Sequence, residues 1–405
     1  MMRKVLIALI AVCMLSAAVA SPTGSSTCSL YTSETDDVLN VNNWSNVDVG
    51  NGFLFMNFYN DYSLPTVGYA KKLDGGLFIA GSVTGNYGSY KDSDYNTQTG
   101  KVDESVGESK VSLSANVLLG IADWGFKLSA NFNPYTRTVD NYSSDPSEKT
   151  TTSKGSANFD ISAGTSFAVG NGTLKPYAGI TYSKNNYKVS SNKVPTDSPL
   201  YDNFNYDYGT STLCFYGKAD FLTASENGRQ HRVGAYFSYS DTKYNDSDYA
   251  KLVTNVSQTD ESTDIYFAPS YAFIYSPVSN VSFTAETELW ISNVTQAIDK
   301  NKYAKTRVYL YEDLGAIYKV TDKFQINGGV QVCGSGYTQE NSFDGKTEDK
   351  KVTFGTTSGS GTTKYLYNQG IDTTPYFGLS FDVTQNLKAD VCVLGTRSIT
   401  VSYKF

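Results

Sequence analysis

The residues able to do chemistry in this chain are few in kind and regular in placement. Its single histidine, His231, falls just after the polar corner 224–230, a poor position from which to shuttle protons. Of the cysteines, Cys13 lies in an apolar leader, and no pair among Cys28, Cys214, Cys333 and Cys392 has metal-site spacing. Neither an enzyme nor a bound metal or cofactor is therefore expected. What remains is charge. Lys127, Asp160, Lys175, Lys218, Asp220, Arg232, Glu286, Glu288, Asp382, Lys388 and Asp390 each stand on the polar side of a stretch in which polar and apolar residues alternate. Both signs occur, and opposed rings of charge around a lumen would create a transverse field, which orients polar solutes and biases ions without making a bond.

Alternation of this kind needs β-strands. From Lys110, the residues Val111, Leu113, Ala115, Val117, Leu119 and Ile121 alternate with Ser112, Ser114, Asn116 and Gly120. After the corner Asp123-Trp124-Gly125 the parity switches, with Phe126, Leu128, Ala130 and Phe132 opposing Lys127, Ser129, Asn131 and Asn133. That is a hairpin. Strands are predicted at 51–60, 64–73, 77–90, 110–122, 126–139, 157–169, 173–189, 210–223, 231–243, 264–275, 281–294, 306–320, 324–337, 372–383, 387–394 and 398–405, sixteen in all. Fourteen is the alternative, because Leu54, Met56 and Phe58 compete with Phe53, Phe55 and Tyr59 for one face, and the turns at 61–63 and 395–397 are short for their side. Adjacent Glu312 and Asp313 cannot both face inward on a regular strand, so a bulge or an unusual lining is expected there.

The spacers alternate in length. Short corners at 74–76, 123–125, 170–172, 224–230, 276–280, 321–323 and 384–386 are separated by the polar segments 91–109, 140–156, 190–209, 244–263, 295–305 and 338–371. A stacked sandwich has no reason to keep that rhythm. A transmembrane barrel does, with its short turns on the periplasmic side. The polar side carries the charges, as a surface facing hydrocarbon requires, since a charge at mid-depth costs about 2–4 kcal/mol.

Composition agrees. The chain has 32 Tyr, 21 Phe and 3 Trp against a net charge of −7, with a mean hydropathy of −0.33, as a barrel wet on one face and girdled by aromatics would have. The acidic balance argues against a nucleic-acid partner. Met1-Met2-Arg3-Lys4, the apolar run Val5 to Leu15 and Ala18-Val19-Ala20 read as a cleaved secretory signal over 1–20. Cys13 sits too deep in that run for a lipoprotein. Residues 21–50 are a periplasmic lead-in or a small plug, and 51–405 the barrel. By parity Cys214, Cys333 and Cys392 share the polar face, on strands not expected to be neighbours, which argues against bridges among them; a bridge from Cys28 and unpaired thiols both stay open.

The ending Ser398-Ile399-Thr400-Val401-Ser402-Tyr403-Lys404-Phe405 resembles the terminal strand of bacterial outer-membrane β-barrels, porins among them. The resemblance implies that Ile399, Val401, Tyr403 and Phe405 are read by the barrel-assembly machinery. The implied class is an all-β, up-and-down antiparallel transmembrane barrel in the outer-membrane lipid. At about sixteen strands such a barrel encloses a channel, and passive diffusion of ions and small polar solutes is the expected activity. Membership among general porins would imply trimers and a loop folded into the pore, but 140–156 lacks their Pro-Glu-Phe-Gly-Gly signature, leaving any homo-oligomer open. Two other readings are kept: a transporter of hydrophobic solutes resembling the fatty-acid barrels, for which 21–50 is short and lacks an Asn-Pro-Ala signature, and an adhesin whose loops 190–209 and 338–371 bind host surfaces. A TonB-dependent transporter would need a larger plug, and an autotransporter a passenger.

Overall fold

The computed structural model describes residues 38–59, 65–96, 101–141, 148–192, 206–246, 259–298, 301–343, 346–347, 353–354, 372–394 and 398–405. The predicted signal, Cys28 and the turns at 61–63 and 395–397 lie outside them. Sixteen antiparallel strands close into one barrel. In chain order they are β1 (Phe53–Tyr59), β2 (Thr66–Lys72), β3 (Phe78–Asn96) and β4 (Lys101–Ile121). Next come β5 (Trp124–Phe132, resuming as Tyr135–Asn141), β6 (Glu148–Thr165, resuming as Phe167–Val169), β7 (Gly172–Ser191) and β8 (Tyr206–Thr223). They are followed by β9 (Arg229–Asp246), β10 (Thr259–Val278), β11 (Val281–Ile298) and β12 (Asn301–Thr321). The last four are β13 (Phe324–Phe343), β14 (Asp372–Asp382), β15 (Leu387–Leu394) and β16 (Ser398–Lys404).

Closure is made by β1, where Phe53 pairs with Ala70 of β2 on one side and with Lys404 of β16 on the other. The Phe405 N–H donates to the Gly52 carbonyl at 2.9 Å, and the Asn51 N–H to the Phe405 carbonyl at 3.1 Å. No sheet edge is left exposed at this seam. The ambiguous parity of β1 resolves with Phe53 and Phe55 inward and Leu54, Met56 and Phe58 outward, in register with exposed Tyr69 and Val67 of β2.

Much of what the sequence offers as long loops is strand. β3 runs to Asn96 and β4 begins at Lys101, and β4 and β12 each have 21 residues, where about 9–11 suffice to cross a bilayer. Once a strand clears the membrane both of its faces meet water, so period-two patterning disappears. The β-prone Thr, Tyr and Val residues nevertheless keep the ladder going.

No bulge separates Glu312 from Asp313, contrary to the expectation. The register is continuous through Glu312↔Thr287 and Asp313↔Glu286. Asp313 faces inward, and Glu312 faces outward, where the Thr287 hydroxyl donates to its Oε2 at 2.7 Å. That hydrogen bond lowers the cost of a carboxylate in an apolar row.

Candidate functional site

The inward face of the barrel has two walls of different character. Charge lies mainly on the one built by β8 to β15. Lys218 and Asp220 of β8, Arg232 of β9, Glu286 and Glu288 of β11, Asp382 of β14, and Lys388 and Asp390 of β15 all share parity with buried inward residues such as Ser238, Ser270 and Ser380. Lys127, Asp160 and Lys175 share the inward parity of β5, β6 and β7. All eleven sequence candidates thus point to the interior, but they do not form one cluster.

They form local pairs. Arg232 is ion-paired with Glu286, with side chains only 13% and 8% exposed. Lys218 Nζ is 3.3 Å from Asp220 Oδ2, and Lys388 Nζ is 3.6 Å from Asp390 Oδ1, an oxygen that also accepts from the Ser380 hydroxyl. Asp160 Oδ2 accepts from the Tyr216 and Thr181 hydroxyls, both at 2.7 Å. Asp313, absent from the sequence candidates, accepts at 3.1 Å from the Tyr376 hydroxyl.

The opposite wall, built by β1 to β6, is dry near the short turns. Residues 38–49 fold against it around the 3-10 turn Trp44–Asn46. Trp44 stacks on Phe78 with ring centroids 5.2 Å apart. Val38, Val49, Phe53, Phe78 and Leu118 are fully buried in the same cluster. Three inward positions at successive strand ends, Gly120, Gly125 and Gly164, make the necessary hollow. A Cβ at Gly120 would lie 2.7 Å from the Trp44 ring, one at Gly164 would lie 2.7 Å from Val41, and one at Gly125 would strike the Val41 carbonyl. The segment is tied to β7 by polar contacts, with Lys175 Nζ donating to Asn43 Oδ1 at 2.6 Å and Asn42 Nδ2 donating to the Lys175 carbonyl at 3.2 Å. Lys175 therefore serves the docked segment.

The outer surface decides the solvent. Val83, Val117, Leu128, Ile161, Val233, Phe237 and Leu314 are all more than half or nearly half exposed, and they belong to a band that runs around the barrel. Trp124 and Tyr318 mark its short-turn side, Tyr87 and Tyr239 the other. An apolar surface of this extent is not tolerated in water. Bounded by aromatic rings on a closed cylinder, it is the surface that meets a bilayer. The chain is a closed β-barrel of the bilayer-spanning kind.

Neither a family model nor a curated protein sequence matches this barrel. Solved structures similar to it include the ferric yersiniabactin uptake receptor FyuA of Yersinia pestis, 11% identical, with 87% of this chain and 78% of that one covered and a TM-score of 0.36. Others are CdiB of Escherichia coli, at 7% identity over 87% of this chain and 62% of that one, TM-score 0.42, and the toluene transporter TodX of Pseudomonas putida, at 10% over 78% and 93%, TM-score 0.33. Likeness at this level carries no argument about what the barrel handles.

The remaining sequence candidates are quickly placed. His231 faces outward at the short-turn end, with Nδ1 2.8 Å from the Tyr271 hydroxyl and its ring beside Phe273. It belongs to the outer girdle. Cys214, Cys333 and Cys392 stand on β8, β13 and β15, none adjacent to another. Ile399, Val401 and Tyr403 take the outward face of β16, in register with Phe58, Met56 and Leu54. Most of 338–371 and of 190–209 lies outside the described residues.

Sequence reading leaves one feature open and misses another. The Trp44 segment lies within 21–50, for which the sequence admits both a lead-in and a small plug, and the glycines on the polar face near successive corners are the signal that it docks inside. Missed is a row of inward aromatics: Tyr177 and Tyr216 are 6.2 Å apart, Tyr216 and Tyr236 6.4 Å, Tyr236 and Tyr266 5.4 Å, Tyr266 and Trp290 5.2 Å, and Trp290 and Tyr311 4.7 Å.

Proposed function

We propose that the chain is a channel, conducting ions and small polar solutes passively through a wet lumen narrowed at the short-turn end by residues 38–49. The observation that carries this reading is the inward face of β8 to β15, where ion pairs and hydroxyls replace the apolar side chains of the outer face. A lumen lined this way is hydrated, and its paired charges shape the field without closing the passage. Secretion by a cleaved leader, recognition of the final strand by the assembly machinery and the absence of a covalent step belong to the same proposal.

Transport of hydrophobic solutes is supported less well. The apolar residues on the inner wall of β1 to β4 are spent on packing residues 38–49, with Phe53, Phe78 and Leu118 fully buried. A hollow of about 280 Å³ bordered by Phe273, Phe283, Ala285 and Leu314 lies on the outward face, where acyl chains of the bilayer reach it. Single-channel recording of the purified chain in planar bilayers tests the proposal. Stable ohmic steps are expected; silence, with fatty acid retained in the purified protein, would replace the channel with an apolar-solute carrier.

A further inference from the structure

We propose that the hollow on the lipid face of β10 to β12, together with the turn beside it, is a binding site for phosphatidylethanolamine in the leaflet at the short-turn end. The proposal concerns the outer surface and stands whatever crosses the lumen.

The acyl half of the site is built from two adjacent rungs of the sheet. One runs through Tyr275, Phe283 and Ala316, the next through Phe273, Ala285 and Leu314, each in register across β10, β11 and β12. Ala285 stands among bulkier outward side chains, and the volume it leaves is the hollow of about 280 Å³ bordered by Phe273, Phe283 and Leu314. A cavity of about 150 Å³ lined by similar side chains holds a benzene molecule, so a stretch of acyl chain fits here. Hydrocarbon solvates that chain almost as well elsewhere in the bilayer. The hollow therefore fixes where a lipid lies, and selection among lipids falls to the head group.

The head-group half lies on the first of these rungs. Arg229 pairs in register with Tyr275, at the start of β9 where the strand leaves its short turn. Its guanidinium carbon is 5.8 Å from the centre of the Tyr275 ring, which holds the charge at the edge of the apolar band. Glu226 faces it across a tight turn. The two residues exchange both N–H···O bonds, each 2.9 Å, around Asn227 and Gly228, whose φ angles are 51° and 74°, as a two-residue type I′ hairpin requires. Partners in such a pair project to the same face. Glu226 and Arg229 are both exposed, and no ion pair joins them among the described residues.

A guanidinium and a carboxylate held side by side match a head group that carries both opposite charges. The phosphate accepts from Arg229, and a primary ammonium donates to Glu226. Phosphatidylethanolamine has the two an ethylene link apart. Phosphatidylglycerol has no cation for Glu226. The ammonium of phosphatidylcholine has no N–H to donate, and the ring that would attract it, Tyr275, already faces Arg229.

The test uses the full chain in detergent, offered phosphatidylethanolamine, phosphatidylglycerol and phosphatidylcholine with identical acyl chains at equal concentration, with native mass spectrometry reading the lipid retained. Phosphatidylethanolamine should be kept roughly tenfold better than the other two, the order of effect of one charge-assisted hydrogen bond. Arg229→Gln should lower its retention roughly tenfold, and Glu226→Gln should make the three lipids equal. Ala285→Leu fills the hollow and leaves the head-group residues in place, and should lower retention of phosphatidylethanolamine roughly fivefold. Heat-modifiable migration on a gel confirms that each variant is folded. Equal retention of the three lipids by the parent chain, preference for phosphatidylglycerol or phosphatidylcholine, or amounts that the variants leave unchanged would overturn the site.

Discussion

The two inner walls of this barrel are built from the same backbone and put to opposite uses. Near the short turns, β1 to β6 offer glycines and apolar side chains, and the chain's own residues 38–49 cover them. The wall from β8 to β15 offers ion pairs and half-buried rings, and no described segment covers it. The difference follows from what each wall can satisfy internally. Apolar faces find their partner within the chain, and burying a side chain such as Leu118 or Phe78 stabilises the docked segment by about 1.5–3 kcal/mol each. A wall of paired charges gains little from being covered, because desolvation would offset the contact.

The comparison breaks most sharply at Trp44. Trp44→Ala removes the ring that fills the hollow above Gly120 and Gly125, and is expected to weaken docking of the segment by about 3–5 kcal/mol. Backbone amides 38–49 should then exchange rapidly with deuterium while strand amides stay protected, and single-channel conductance should rise. Arg232→Ala is the corresponding break on the wet wall. It strands the buried Glu286 carboxylate and should cost the barrel about 3 kcal/mol against urea, moving ion selectivity towards cations. A double variant with Arg232→Met and Glu286→Leu should recover most of that stability while keeping the lumen open. A smaller effect, about 1–3 kcal/mol, is expected of Gly125→Ala, whose methyl meets the Val41 carbonyl. Its signature is again faster exchange at 38–49 alone, which separates displacement of the segment from loss of the barrel.

The barrel was legible in the sequence because lipid and water sort side chains by parity. Val111 to Ile121 against Ser112 to Gly120 is enough to give the hairpin and its faces, and the short corners give the order of strands. The upper parts of β3, β4 and β12 were not legible, since water on both faces erases the alternation. Glu312 misled because an outward carboxylate breaks the rule, and its accommodation depends on Thr287, a residue of the neighbouring strand. The eleven charged candidates were found by parity, but their pairing was not, because Arg232 and Glu286 lie on β9 and β11 and meet only across the wall. The aromatic row escaped for a different reason. A Tyr on the inward face fits either side of an alternating pattern, so Tyr177, Tyr216, Tyr236 and Tyr266 carry no periodic signal of their own.

The most direct test of the two-wall account is thiol accessibility in intact proteoliposomes, using a small charged thiosulfonate on a cysteine-free background. Glu288→Cys should react, Leu289→Cys on the lipid face should not, and Leu118→Cys should react only when Trp44→Ala is also present. Leu289→Cys reacting as fast as Glu288→Cys, or Leu118→Cys reacting with Trp44 intact, would contradict the account.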